Sequence, residues 1–169
     1  MTFKIAVLNL VAAGAAVLAA AAQTSTYMPP APAQPLPFSH KLHLSKSLDC
    51  KDCHSMPEPG DRATFPATAR CMACHVEIKK DSEAIQKLAE YHKKQEAIPW
   101  KRVYRVPEYV FFSHKVHVTK AKAACETCHG PVRDRDVMRK EKETSMAVCM
   151  DCHKASGASI GCDYCHEPR

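Results

Sequence analysis

Ten cysteines and the histidines that follow them carry the clearest chemistry in this 169-residue sequence. The cysteines form five pairs with two residues between the members, and a histidine directly follows each second cysteine. The pairs are Cys50/Cys53, Cys71/Cys74, Cys125/Cys128, Cys149/Cys152 and Cys162/Cys165, and the histidines are His54, His75, His129, His153 and His166. C-x-x-C-H is the attachment motif of c-type haem. The two thiols add to the porphyrin vinyl groups and the histidine supplies the proximal iron ligand, so we predict five covalently bound haems c.

Other uses of paired cysteines explain this pattern less well. Disulfide bonds suit an exported protein, but they do not require a trailing histidine. Zinc ribbons use C-x-x-C pairs two at a time, so five pairs would leave one without a partner. A thioredoxin-like redox pair needs a βαβ context, which the sequence pattern does not contain. Haem attachment is the interpretation that explains both the five cysteine pairs and the histidine that follows each of them.

The predicted haems also determine the expected fold. Aromatic residues make up 7% of the chain, and a chain of this length with few large rings builds a thin core by itself. We therefore expect the porphyrins to form the interior and the polypeptide to wrap around them. The predicted fold class is a haem-cored multihaem cytochrome c, mostly irregular with short α-helices and made of two related modules.

A repeat divides the chain into those two modules. The segment FSHKLHL at 38–44 recurs as FSHKVHV at 112–118, and each copy precedes two or more C-x-x-C-H motifs. A repeated sequence of this kind indicates a repeated structural unit. We predict a two-haem module at 38–98, a linker at 99–105 and a three-haem module at 106–169.

Five histidines remain after the proximal ones, which equals the predicted number of haems. Four of them form two H-x-x-H pairs, in which the rings would project about 60° apart on a helical turn and reach two different haems. Imidazole is a common ligand of iron, so we expect axial ligation rather than exposed histidines. The five residues are His40, His43, His114, His117 and His92.

The ligand of the fifth haem stays open between two kinds of residue. The pattern at 81–97 predicts a helix, with Ile85, Leu88 and His92 on one face, so His92 is expected to point inward as a candidate ligand. A satisfied core histidine is the alternative. Met138 or Met146 could instead supply a thioether ligand, although methionine more often fills gaps in a core.

The N-terminal residues predict export from the cytoplasm. Residues 1–22 read as a signal peptide or an N-terminal anchor, because one lysine precedes an apolar run that ends in small residues. Residues 23–37 are rich in proline and predict a semi-rigid linker outside the fold. The net charge of +6 does not indicate a nucleic-acid partner, since each ferric haem with its two propionates contributes about −1.

The F-S-H-K-x-H segments and the clustered C-x-x-C-H motifs resemble the class III multihaem cytochromes c. The resemblance implies that His40 and His114 ligate the haems of the next motifs, Cys50/Cys53 and Cys125/Cys128, and that His43 and His117 reach later haems. Residues 71–153 most resemble the pentahaem subunits of alternative complex III and of menaquinone-reductase complexes. Those subunits are periplasmic and carry electrons between a membrane quinone oxidoreductase and soluble redox proteins. They suggest a histidine near position 104, where this chain has Tyr104.

These observations predict an electron carrier rather than an enzyme. With nearly enough histidines to ligate every iron on both sides, no coordination site is obviously left open for a substrate. The alternatives are a multihaem reductase of nitrite-like oxyanions, which needs an open iron, and a haem-bearing assembly subunit of a membrane oxidoreductase complex. The expected location is the periplasm, with the protein either soluble or attached to the membrane through its N-terminus.

Overall fold

The computed structural model describes residues 28–166, and this part of the chain is mostly irregular with short helices and no β-strand. The α-helices are α1 (His40–Leu44), α2 (Cys50–Cys53), α3 (Thr68–His75), α4 (Glu83–Lys93), α5 (Cys125–His129), α6 (Met146–Ala155) and α7 (Asp163–His166). A π-helical turn covers Val116–Lys120 and a 3-10 turn covers Val132–Asp134. The predicted fold class is confirmed. The predicted N-terminal signal or anchor at 1–22 lies outside the described residues.

Each C-x-x-C-H motif lies in or at the end of a short helix. Two of these helices begin with strong caps: Asp49 and Asp52 form a capping box on α2, and the Ser145 hydroxyl accepts from the Val148 amide on α6. Such short helices would be marginal by themselves. They are held here by caps and by the contacts of their histidines. Between residues 28 and 166, no helix has the length and apolar character needed to cross a membrane.

Helix α4 is the longest helix of the described chain and lies within the predicted range 81–97. Ser82 caps its start by accepting from the Ile85 amide, and Lys94 is its C-cap. Gln95 follows with a φ of +56°, in the left-handed region that ends helices. The helix therefore stops before residue 97. It packs against α3, the helix that carries the second C-x-x-C-H motif.

A small apolar core lies beside these two helices. Its buried members are Leu36, Leu88 and Ile98, which are 5%, 4% and 7% exposed. Cys71 and Met72 of α3 pack against it, together with Ile85, Tyr91 and Trp100. No other hydrophobic side chain is buried in residues 28–166, as expected for a chain with few aromatic residues.

The end of the proline-rich segment packs on the fold, unlike the free linker expected from its composition. Leu36 is part of the apolar core. The Gln34 side chain donates to the Lys101 carbonyl at 2.8 Å and accepts from the Lys101 amide at 2.9 Å. Lys87 of α4 donates to the Pro35 carbonyl. One leucine among prolines gave too weak a sequence signal to predict this docking.

Candidate haem sites

The structure places each histidine of the two H-x-x-H pairs opposite a histidine of a C-x-x-C-H motif. The distances between ring centres are 6.3 Å for His40–His54, 6.1 Å for His43–His75, 6.3 Å for His114–His129 and 6.0 Å for His117–His153. The first and third pairs have nearly parallel rings, with interplanar angles of 14° and 8°. The other two pairs are tilted by 59° and 34°.

This spacing fits an iron held between two imidazoles. A metal–imidazole bond is about 2 Å long, and the coordinating nitrogen lies about 1 Å from its ring centre, so two opposed ligands have centres about 6 Å apart. All four pairs lie at that distance. The donor set therefore fits haem iron with histidine on both sides at the first four motifs.

Hydrogen bonds at Nδ1 leave the other ring nitrogen of most of these histidines free for a metal. A backbone carbonyl can only accept, so Nδ1 carries the proton and Nε2 keeps its lone pair. In the motif histidines, the bonds run from His54 to Thr64 O at 2.8 Å, His75 to Ile78 O at 2.9 Å, His153 to Ser159 O at 2.6 Å and His166 to Tyr109 O at 3.1 Å. In the H-x-x-H histidines, they run from His43 to Ser39 O at 2.7 Å, His114 to Asp61 O at 2.9 Å and His117 to Ser113 O at 2.8 Å.

His40 is the exception among the H-x-x-H histidines. Its Nδ1 is buried and finds no hydrogen-bond partner among the residues that the structure describes. Burial, followed by the proximity of His54 and His43, lowers the pKa of His40 to about 4. Burial and the neighbouring His114 and His54 also lower the pKa of His129. Both rings are thus kept neutral, which is the form that binds a metal.

A phenylalanine supports each H-x-x-H pair. Phe38 stacks on His43 with ring centres 4.3 Å apart and meets the edge of His40 at 4.9 Å. Phe112 repeats both contacts, with His117 at 4.4 Å and His114 at 4.8 Å. The sequence repeat is therefore also a repeat of local structure, and the phenylalanine orients both rings of its pair.

All ten cysteines lie in the described part of the chain, and none of them forms a disulfide bond there. Burial, followed by the charge of Cys125, raises the pKa of Cys50 to about 11. Burial also raises the pKa of Cys71, Cys128 and Cys149, each with a further contribution from a cysteine of another motif. Cysteines of different motifs are thus close enough to influence one another.

Five of the ten cysteines in the described chain are exposed. Cys74 and Cys152, the second cysteines of the second and fourth motifs, are both exposed. Each lies near the end of its helix, where its carbonyl accepts a closing amide: Ile78 donates to Cys74 O at 2.9 Å, and Ser156 donates to Cys152 O at 3.0 Å.

Neither Cys74 nor Cys152 belongs to the apolar core. The core reaches α3 at Cys71 but does not include Cys74, and α6, which carries Cys152, has no buried residue. Haem attachment at Cys74 and Cys152 stays a prediction that rests on the motif. The other exposed cysteines are Cys128, Cys149 and Cys162.

His92 lies at the end of the packed face of α4, against the buried Thr68, and its role as a ligand stays a prediction. The residue is exposed, and its Nδ1 lies 3.2 Å from the hydroxyl of Thr68 on α3. It shares the packed face of α4, but it lies one turn beyond Leu88, at the helix end where the small core stops. The structure therefore places His92 at the helix of the second motif, whose His75 already faces His43.

The fifth motif has a different environment from the other four. His166 donates from Nδ1 to the Tyr109 carbonyl, and the Tyr109 ring centre lies 5.9 Å from that of His166. The Phe111 amide donates to the Cys165 carbonyl at 2.8 Å, so the chain at 109–111 runs beside this motif. Of the two candidate thioethers, Met146 is 67% exposed at the start of α6 and Met138 is half-buried. The four opposed pairs use all the H-x-x-H histidines and leave none of them for His166.

Tyr104 is a site residue that sequence reasoning did not identify. Its ring meets the edge of His129 with centres 4.6 Å apart, and its hydroxyl donates to the His129 carbonyl at 3.1 Å. The same oxygen accepts from the amides of Glu141 and Lys142 at 3.0 and 3.3 Å. Tyr104 therefore fastens the third motif to the chain at 141–142. No motif surrounds Tyr104 in the sequence. It was noted there only because the related subunits suggest a histidine near this position, and the sequence did not predict its hydrogen bonds.

Comparison with known proteins agrees with this geometry. Residues 15–102 match the class III cytochrome C family, and residues 110–167 match cytochrome c7 and related cytochrome c. The chain belongs to the class III cytochrome c family, which confirms the resemblance seen in the sequence. It is a multihaem cytochrome c that binds haem covalently and transfers electrons.

One relative also agrees with the resemblance of this sequence to the cytochrome subunits of menaquinone-reductase complexes. The chain is 30% identical over 161 residues to the menaquinone reductase, multiheme cytochrome c subunit, of Nitratidesulfovibrio vulgaris. The match covers 79% of this chain and 77% of the relative.

Proposed function

We propose that this chain is a periplasmic pentahaem cytochrome c that carries electrons between a membrane quinone oxidoreductase and soluble redox proteins. The observation that carries the proposal is the set of four opposed histidine pairs at 6.0–6.3 Å. An iron with histidine on both sides has no open position for a substrate. Four of the five proposed sites can thus accept and release an electron, but they have no open iron position for a substrate.

The residue roles in this proposal follow the geometry. Covalent haem supplies a one-electron iron couple whose potential depends on axial ligands and burial. The ten cysteines attach the haems, the exposed ones included, and the five motif histidines are the proximal ligands. His40, His43, His114 and His117 are the distal ligands of the first four haems. The Nδ1 hydrogen bonds keep the motif and H-x-x-H rings oriented.

The location and the partners rest on other observations. The predicted signal or anchor at 1–22 supports export, and covalent haem attachment is consistent with it. The name of the 30% identical relative supports a partner that exchanges electrons with menaquinone. Attachment to the membrane through the N-terminus and a soluble periplasmic form are both compatible with this partner. We propose no role for nucleic acid.

The fifth motif favours a second candidate function. A reductase of nitrite-like oxyanions needs one open or weakly held iron. All four H-x-x-H histidines lie opposite other motif histidines, so the iron at His166 is where such a substrate could bind.

One experiment separates the two functions. The mature holoprotein is reduced anaerobically with a menaquinol analogue in the presence of membranes that contain the quinone oxidoreductase, and is then mixed with nitrite. The carrier function predicts that the haems are reduced through those membranes and that nitrite is not consumed. Nitrite turnover by viologen-reduced protein, above that of an equal amount of a bis-histidine cytochrome, would contradict the carrier function and support the reductase.

A further inference from the structure

The H-x-x-H pairs determine which sites are neighbours within each module. His40 faces the histidine of the first motif and His43 faces that of the second, so α1 connects these two sites. In the second module, His114 and His117 connect the third and fourth motifs in the same way. Ligands three residues apart on one turn hold their two sites side by side.

Contacts between the modules are reciprocal. The Lys41 amide donates to the Arg135 carbonyl at 3.0 Å, and the Lys115 amide donates to the Gly60 carbonyl at 2.9 Å. The two lysines are equivalent in the repeat, because each follows the first histidine of its H-x-x-H pair. The two acceptors are also equivalent, because each lies ten residues after the first cysteine of its module. Reciprocal pairing of equivalent residues is the mark of a twofold axis, here an approximate one within a single chain.

Side-chain hydrogen bonds also join the two modules in both directions. His114 donates to the Asp61 carbonyl of the other module, whereas Ser39, beside His40, donates to the Asp136 carboxylate at 2.6 Å. Asp61 and Asp136 are the next residues after the two backbone acceptors, so they are equivalent as well. Helix α1 also packs against the 3-10 turn at 132–134. Each module thus contacts and supports the H-x-x-H segment of the other.

The first and third motifs lie against this axis. Arg133, which follows the third motif, binds the Asp49 carboxylate that caps the first at 2.9 Å. The equivalent cysteines Cys50 and Cys125 are near enough for Cys125 to raise the pKa of Cys50. The first and third motifs of the chain, each the first of its module, are therefore neighbours, although they lie 75 residues apart in the sequence.

A short connection places the fifth motif beside the fourth. His153 donates from Nδ1 to the Ser159 carbonyl at 2.6 Å, and the Ala158 amide donates to the His153 carbonyl at 2.8 Å. This tight turn leads directly to Cys162. The fifth site consequently lies beside the fourth, and Cys165 is near enough to Cys149 to raise its pKa.

We propose that the five haems lie in the spatial order second, first, third, fourth, fifth, with the haems of the first and third motifs meeting at the approximate twofold axis between the modules. The inference rests on the proposed five-haem function and adds to it the path that an electron takes through the protein. The order differs from the order along the chain. An electron that crosses the protein has to pass between the first and third haems. The second and fifth haems are the two ends, where outside partners exchange electrons.

Diffraction from crystals of the holoprotein at the iron absorption edge tests this order, because each iron gives an anomalous peak that can be assigned to its motif. We expect the shortest iron–iron distances to join second to first, first to third, third to fourth and fourth to fifth. The order is overturned if the closest approach between the modules involves any pair other than the first and third irons. A haem count on the same sample keeps the two proposals apart. Five haems in a different order refute only the path, whereas fewer than five refute the pentahaem function.

Discussion

The rings of His114 and His129 lie 6.3 Å apart between centres and within 8° of parallel. One ring comes from the H-x-x-H segment of the second module and the other from its first C-x-x-C-H motif. His40 and His54 repeat the arrangement in the first module at the same distance and within 14° of parallel. Two histidine pairs built alike in two modules indicate a common role, which we take to be iron ligation on both faces of a haem.

Loss of one distal histidine should open one iron. In the holoprotein, His114→Ala should convert one further haem per chain from low to high spin and add a second site for carbon monoxide after reduction. His92→Ala is the matched control: that residue is exposed and bonds to Thr68, so its loss should leave the spin state of every haem unchanged. Visible and EPR spectra of both variants check this. A new high-spin haem in His92→Ala would show that His92 is a ligand after all.

Gly60 tests the contact between the modules. A Cβ at this position would lie 2.5 Å from Lys115 Cβ and 2.8 Å from Lys115 Cδ, and its φ of +91° is unfavourable for other residues. We expect Gly60→Ala to lower the free energy of unfolding by about 2–4 kcal/mol through backbone strain and overpacking. It should also raise the high-spin fraction, because the adjacent Asp61 carbonyl holds His114.

Gly157→Ala is the control for backbone strain alone. Gly157 has a φ of +66°, and a Cβ there would meet nothing within 4 Å. Its substitution should cost about 1 kcal/mol in denaturant unfolding and leave the haem spectrum unchanged. Equal losses of stability in the two variants would argue against close packing between Gly60 and Lys115.

Tyr104→Phe removes a hydroxyl that bonds three backbone groups. The carbonyl of His129 and the amides of Glu141 and Lys142 would each lose a partner. We expect a loss of about 1–3 kcal/mol in chemical unfolding, the cost of leaving partly buried polar groups unsatisfied. The haem of the third motif should stay low-spin, because the phenyl ring can keep its edge contact with His129. A large change in the spectrum with little loss of stability would show that the hydroxyl acts on the iron site instead.

The fifth haem should be the one that binds an external ligand. Because His166 faces Tyr109 and none of the H-x-x-H histidines, the reduced protein is expected to bind about one carbon monoxide per chain. Met138→Ala and Met146→Ala should leave this stoichiometry unchanged. If the parent protein binds none and one of these variants binds one, that methionine is the fifth ligand. In that case one haem should also titrate at a clearly higher potential than the others.

The sequence predicted the repeat and the short helices better than it predicted the contacts between distant segments. The C-x-x-C-H and H-x-x-H spacings are local, so they could be read directly from the chain. The contact of His92 with Thr68 could not, because it joins two residues that lie on different helices, 24 positions apart in the chain. The docking of Leu36 and the bonds of Tyr104 also depend on distant segments that carry no motif.

The contacts between the modules could not be predicted from the sequence either. They join backbone atoms of Lys41 and Arg135 and of Lys115 and Gly60, and a backbone hydrogen bond leaves almost no trace in residue type. The glycine is the one clue, since it has both a positive φ and a close neighbour. The spatial order of the sites therefore required the structure.

Quantitative EPR of the oxidised holoprotein, combined with a pyridine haemochrome count on the same sample, tests the central claim most directly. The claim is that five haems are bound and that four of them have histidine on both sides. The expected result is five haems per chain, with four low-spin ferric signals and one high-spin signal. Fewer than five haems, or high-spin signals from several haems, would contradict the claim.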